Sequence, residues 1–149
     1  MDDRRQWTIR AGGEADLPAV VALWRAAVSV PSATDTEAAL QILLDRDAES
    51  LLVAEAGEEI VGSLIVGWDG WRGSFYRLAV HRQWRHRGMA TALVYAGEGR
   101  LHDLGAVRLT AIVANDQGAG AAFWEALGYR RQPRTSRFVR MVAVRSSEP

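Results

Sequence analysis

The chain contains no cysteine and no lysine. Without cysteine there are no disulfides, no thiolate metal sites and no cysteine nucleophile. Without lysine there is no Walker phosphate loop, whose lysine rests on the terminal phosphates, and no lysine Schiff base. The three histidines, His81, His86 and His102, lack the paired helical spacing of a metal site, so no metal is expected. The apolar runs fall far short of the roughly 20 residues that span a bilayer. The first residues, Met1 to Arg5, lead into no apolar stretch of signal-peptide length. The expectation is a cytoplasmic protein without membrane contact.

What is present fits one globular domain. A chain of 149 residues with 48% hydrophobic content can bury a real core, expected from about residue 7 to 144. The net charge is zero, but the charges are segregated. Residues 1–71 hold five arginines and thirteen acids, whereas residues 72–149 hold thirteen arginines and five acids. Arg72, Arg77, Arg82, Arg85 and Arg87 fall in one stretch that contains no acid. Such a local field draws anions. Overall neutrality and an acidic first half argue against the extended basic track of a nucleic-acid binder.

Patterning predicts alternating elements. Asp16 reads as the N-cap of a helix running to about Val28, with apolar residues at helical spacing and Pro18 in the first turn. A second helix is expected over Thr36–Leu44. Ser50–Ala56 and Glu59–Trp68 read as strands around a turn at Gly57, and Ser74–Val80 as the next strand. A helix follows from Gly88 and stops at Gly105. Gly97 and Gly99 weaken it by roughly 1 kcal/mol each relative to alanine. Ala106–Val113 is expected as a strand, Ala119–Leu127 as a helix capped by Gly128, and Phe138–Val144 as a final strand. Strands that pair locally and then alternate with helices imply an α/β protein, a mixed sheet with helices on both faces.

The most informative segment is Arg85-His86-Arg87-Gly88-Met89-Ala90. It joins a strand to a helix, so free backbone N–H groups and the positive end of the helix dipole converge there. Gly88 permits close approach of a ligand to the backbone. Capture of a pyrophosphate is the chemistry this suggests. Gly118-Ala119-Gly120 invites a dinucleotide-binding reading, but Phe123 replaces the third glycine and no acid lies between Ala126 and Ser147.

The pattern Arg85-x-x-Gly88-x-Ala90 resembles the pyrophosphate motif of the GCN5-related N-acetyltransferases. Asn115 with Ala122–Tyr129 is similar to that family's second block, and Gly67–Gly73 to a loop of one bacterial branch. The resemblance runs from about Asp16 to about Val144. It implies an acetyl-CoA-dependent transfer to a primary amine, on a small molecule or a peptide, in a ternary complex. It also implies that Ser74–Val80 diverges from the following strand to form the acyl-CoA cleft. Backbone groups of Leu78, Ala79 and Val80 would then hold the pantetheine arm, with the Val80 amide as oxyanion donor. Arg85, His86, Arg87, Gly88, Met89, Ala90 and Thr91 would hold the pyrophosphate, and Asn115 and Trp124 would contact the cofactor.

The chain departs from the family at three positions. His86 stands where glycine is common, and histidine tolerates left-handed backbone better than most residues. Arg82 stands where proline is common. Trp124 stands where a tyrosine often protonates the leaving thiolate, and indole is no general acid near neutral pH. Water, Tyr76, Tyr95 and Tyr129 remain as proton sources. Asp69 is a candidate base and also a turn residue, Asp69-Gly70. Glu55, Glu59, Glu125 and His81 stay open as well. In the strand, alternation sets Tyr76, Leu78 and Val80 on one face and Phe75, Arg77 and Ala79 on the other. Trp24, Trp68, Trp71 and Tyr76 are candidates for an acceptor pocket, Trp24 more readily as core. Exposed aromatics and the last strand also make a homodimer plausible. The competing reading is an acyl-CoA-binding module with little turnover.

Overall fold

The computed structural model describes residues 6–27, 31–114 and 118–142. Five strands, β1 (Thr8–Ala11), β2 (Leu51–Ala56), β3 (Glu59–Trp68), β4 (Gly73–Val80) and β5 (Leu109–Ala111), form one sheet in sequence order. The first three pairings are antiparallel and β4–β5 is parallel. A parallel neighbour needs a crossover, and α3 (Met89–Leu104) supplies it. The helices α1 (Leu17–Ala27) and α2 (Glu37–Arg46) precede β2, and α4 (Gly118–Ala126) follows β5. No helix among the described residues is long and apolar enough to cross a membrane.

Alternation along the strands feeds a core on each face. Leu51 and Val53 point to Leu17, Val20, Val21, Trp24 and Leu40 from α1 and α2. Ala54, Leu64, Val66 and Phe75 point to Met89, Leu93, Val94 and Leu101 from α3 and to Trp124 from α4. Thr36 caps α2, its hydroxyl accepting from the Ala39 amide at 3.1 Å. Gly105, at φ +103°, closes α3 in the left-handed conformation that glycine adopts without cost.

Several expectations need correction. β1 had no sequence signal, being four residues long with little burial. Asp16 does not cap α1. It ends a 3-10 turn, Glu14–Asp16, where its carboxylate accepts from the Gly13 amide and pairs with Arg10 at 2.8 Å. Helix α2 begins one residue after Thr36 and runs two beyond Leu44. The strand expected over Ala106–Val113 is only Leu109–Ala111. Residues 138–142 are not a strand, and Ala143 and Val144 lie outside the described residues. Phe138 and Val142 stand 94% and 82% exposed, so among the described residues this apolar segment has no facing surface.

The face assignment in β4 also fails, for a physical reason. The register runs Ser63↔Ala79 and then Ile65↔Tyr76, so Arg77 and Leu78 together oppose Leu64. This is a β-bulge, and Arg77 takes φ +53°, a left-handed angle that costs a residue other than glycine on the order of 1 kcal/mol. The bulge reverses the alternation. Phe75 packs with α3 and α4, whereas Ala79 packs with α1 and α2.

The two mid-helix glycines of α3 have opposite surroundings. A Cβ on Gly97 would meet Phe75 Cε1 at 2.7 Å and Val66 Cγ2 at 2.9 Å, so the helix backbone rests directly on the sheet. A Cβ on Gly99 would meet nothing within 4 Å. In urea denaturation, Gly97→Ala should therefore lower stability by about 1–3 kcal/mol. Gly99→Ala should raise it by about 0.5–1 kcal/mol. Equal effects from the two would contradict the close approach at Gly97.

Candidate active site

The β4–β5 ladder ends at Phe75↔Ala111, with a last bond from the Ile112 amide to the Phe75 carbonyl at 3.3 Å. β4 continues five residues further, to Val80. A cavity of about 520 Å³ lies beyond this point, between Tyr76–Val80 on one side and Ile112–Ala114 on the other. Its far end is closed by Trp84, Arg85, His86 and Gly88, and its floor by Phe123 and Trp124.

The loop at that end is built to present amides. His81 follows β4, its N–H bonded to the Val61 carbonyl at 2.8 Å, and its ring Nδ1 accepts from the Gln83 amide at 3.2 Å. A short 3-10 turn, Arg82–Trp84, follows. Arg85 Nε then donates to the Val80 carbonyl at 3.2 Å, which ties the loop to the end of β4. His86 and Gly88 take φ +63° and +81°, so the two departures from right-handed backbone bracket Arg87. Alternation of this kind turns successive N–H groups toward one side. The first helical bond of α3 is from Ala92 to the Gly88 carbonyl, 3.0 Å. Among the described residues, the amides of residues 88–91 therefore have no acceptor. The Arg87 guanidinium stacks over the Trp84 ring at 4.8 Å.

Of the residues singled out from sequence, Tyr76, Leu78, Ala79, Val80, Arg85, His86, Gly88, Met89, Ala90, Thr91 and Trp124 all line this one cavity. Arg87 flanks it through Trp84. Asn115 lies outside the described residues. Asp69 is not brought to the cavity. It sits in the β3–β4 turn, at the other end of β4 and roughly 20 Å from Val80 by the rise of an extended strand. Its Oδ1 accepts from the Trp71 and Arg72 amides at 2.8 and 2.7 Å. The bonds from Arg72 and Trp71 hold its carboxyl below the ordinary aspartate value. The turn role accounts for the residue, and a weakened base is the consequence.

Trp124 is both core and wall. It is 7% exposed, stacks on Phe75 at 5.7 Å and meets Phe123 and Tyr129 edge-on at 5.5 and 5.0 Å. Tyr129 does not face the cavity. Its hydroxyl donates to Glu98 at 2.6 Å, and burial together with that carboxylate pushes the phenol well above its ordinary value. Tyr95 is 59% exposed on α3 and lines neither this cavity nor its neighbour. Tyr76 alone among the three tyrosines lines the cavity. Trp68 and Trp71 stand with Asp69 at the far turn, Trp71 under Arg72 at 3.9 Å. Trp84, Phe123 and Ile112–Ala114 escaped the sequence reading, because nothing local distinguishes a cavity wall from ordinary core.

The comparisons with known proteins agree on one family. The acetyltransferase (GNAT) family model matches residues 17–129. An acetyltransferase of Yersinia enterocolitica is 37% identical over 124 residues, 83% of this chain and 88% of the relative. One from Pectobacterium atrosepticum is 37% identical over 121 residues, 81% of this chain and 86% of the relative. The chain belongs to the GNAT family and is an acetyltransferase. In fold it is similar to an Ard1 protein of Thermoplasma volcanium (TM-score 0.75, 19% identity, 83% of this chain and 82% of that one). It is also similar to the PaiA N-acetyltransferase of Thermoplasma acidophilum, solved with coenzyme A (TM-score 0.74, 15% identity, 87% of this chain and 92% of that one).

Removing the aromatic floor should show how far the cavity depends on it. Trp124→Ala is expected to lower stability by about 3–5 kcal/mol in denaturant unfolding. A loss below about 1 kcal/mol would place the indole outside the packed core.

Proposed function

We propose that the chain moves the acetyl group of acetyl-CoA to a primary amine by direct transfer, working as a single N-acetyltransferase domain. The observation that carries this reading is the run of free amide donors at the start of α3, residues 88–91, opening on the end of β4. The residues fit the donor chemically. The amides, the α3 dipole and the side chains of Arg85 and Arg87 suit a pyrophosphate. The gap between β4 and residues 112–114 suits an extended amide-containing arm, whose polar groups bond to strand backbone as a neighbouring strand would.

Acetyl-CoA supplies an activated thioester carbonyl. The chain's residues do the rest by position and charge. The Val80 amide donates to the carbonyl oxygen as negative charge develops there. Arg85, bonded to the Val80 carbonyl, keeps the amide loop and the end of β4 in register, and is a positioning residue in that respect. The amine nitrogen forms a bond to the carbonyl carbon, the carbon–sulfur bond breaks, and the nitrogen gives up a proton to solvent. Tyr76, at the cavity wall, is the phenol placed to protonate the departing thiolate. Asp69 has no part in this scheme. Holding both reactants in one geometry contributes much of the rate.

Two variants test the assignment. Arg85→Glu puts a carboxylate at the anion loop and should weaken acetyl-CoA binding at least a hundredfold in calorimetric titration. Unchanged affinity would reject the loop as the pyrophosphate site. Tyr76→Phe should lower kcat for thiol release about tenfold or more with acetyl-CoA affinity retained. An unaltered kcat would mean that solvent protonates the thiolate.

A further inference from the structure

A second cavity, of about 450 Å³, lies on the α1–α2 side of β4 and shares Tyr76, Arg77 and Ile112–Ala114 with the first. Its volume is that of a small-molecule site. Trp24 and Ile65 give it apolar wall. Three charged side chains line it: Asp35, Arg77 and Arg137. Two of them cancel. Arg77 Nε and Nη2 each donate to Asp35 at 2.8 Å, and Asp35 also accepts from the Ser32 amide at 2.8 Å. Arg137 has no carboxylate partner among the described residues. Residues 130–142, which carry it, contain five arginines and no acid. Among the described residues, the cavity therefore offers one guanidinium without a carboxylate partner, and its single carboxylate is already spent.

We infer that the acceptor is a small amine that carries its own carboxylate, held by Arg137 and directed toward Tyr76, where the two cavities meet. This rests on the first cavity being the acetyl-CoA site. A guanidinium pairs with a carboxylate through two parallel bonds and so orients it. The same surroundings bear on the nucleophile. Among the described residues, no free carboxylate lines this cavity to hold the amine as an ammonium. The amine thus reaches the thioester carbonyl already deprotonated, its proton passed to solvent, and no dedicated side-chain base is required. The C–N bond then forms as the C–S bond breaks, the nitrogen releases its surplus proton to solvent, and the released thiolate takes a proton from Tyr76.

The test uses standard α-amino acids and their carboxamides, which lack the carboxylate and have a less basic amine, so amine basicity works against the expected preference. Ligand-observed saturation-transfer NMR, without acetyl-CoA, reads the second cavity by itself, and thiol release with acetyl-CoA reads transfer. Carboxylates should bind, and their kcat/KM should exceed that of the carboxamides at least tenfold. Arg137→Gln should bring that ratio toward one, Arg137→Lys should restore part of it, and acetyl-CoA affinity should hold in both. Carboxamides equal to carboxylates, a ratio unmoved by Arg137→Gln, or no amino-acid binding would each overturn the inference. Arg85→Glu separates the two proposals. It should abolish acetyl-CoA binding yet keep amino-acid binding, so failure of the cofactor reading leaves the NMR result on the acceptor intact.

Discussion

The bulge at Arg77–Leu78 is the constraint on which the rest of the site depends. One extra residue in β4 reverses which face each later side chain serves. Phe75 before it joins the α3–α4 core, and Ala79 after it joins the α1–α2 core. Pairing with β5 stops at Phe75, just before the bulge, and both cavities open alongside it. A left-handed arginine is held there by its surroundings. Asp35 grips the side chain through two bonds. Behind it, Ser63 Oγ reaches the Arg77 carbonyl at 3.4 Å and accepts from Trp24 Nε1 at 2.8 Å. Ser63 is wholly buried, so this small polar chain is worth most where it stands.

The polar work at the two ends of β4 is divided. At its start, the Asp69 turn spends a carboxylate on backbone amides and fixes the hairpin. At its end, backbone amides stay unspent, because left-handed His86 and Gly88 delay the first bond of α3 until Ala92. A helix that began one turn earlier would consume part of those donors. Gly97 matters at the same level, since its missing side chain lets α3 lie on Phe75 and Val66 and so aims the helix along β4.

The charge segregation acquires meaning only in this frame. The acids of the first half appear where they neutralise arginines of the second, Asp35 on Arg77 and Asp47 on Arg100 at 2.7 Å. Residues 130–142 hold five arginines and no acid. Partly buried pairs of this kind fix geometry more than they add stability. Trp124 follows the same logic in apolar form. It leaves the chain without a phenol at that position and supplies a ring that stacks on Phe75.

By itself, the sequence determined the elements whose signals are local. Gly57, Gly105 and Gly128 mark turns and caps, and they take the positive φ angles that glycine permits. Glu59–Trp68 is a strand to the residue, and Arg85–Ala90 is legible as an anion loop because its strand, glycine and helix adjoin in the chain. Only the tertiary structure decided the rest. The Arg77–Asp35 bond joins residues 42 positions apart, and no periodicity announces it. A bulge erases the alternation from which faces are read, so simple alternation puts Phe75 and Ala79 on one face when they serve opposite cores. Phe138–Val142 has the apolar, β-branched composition of a strand, yet a strand exists only where a neighbour offers its hydrogen bonds, and among the described residues the protomer offers none there.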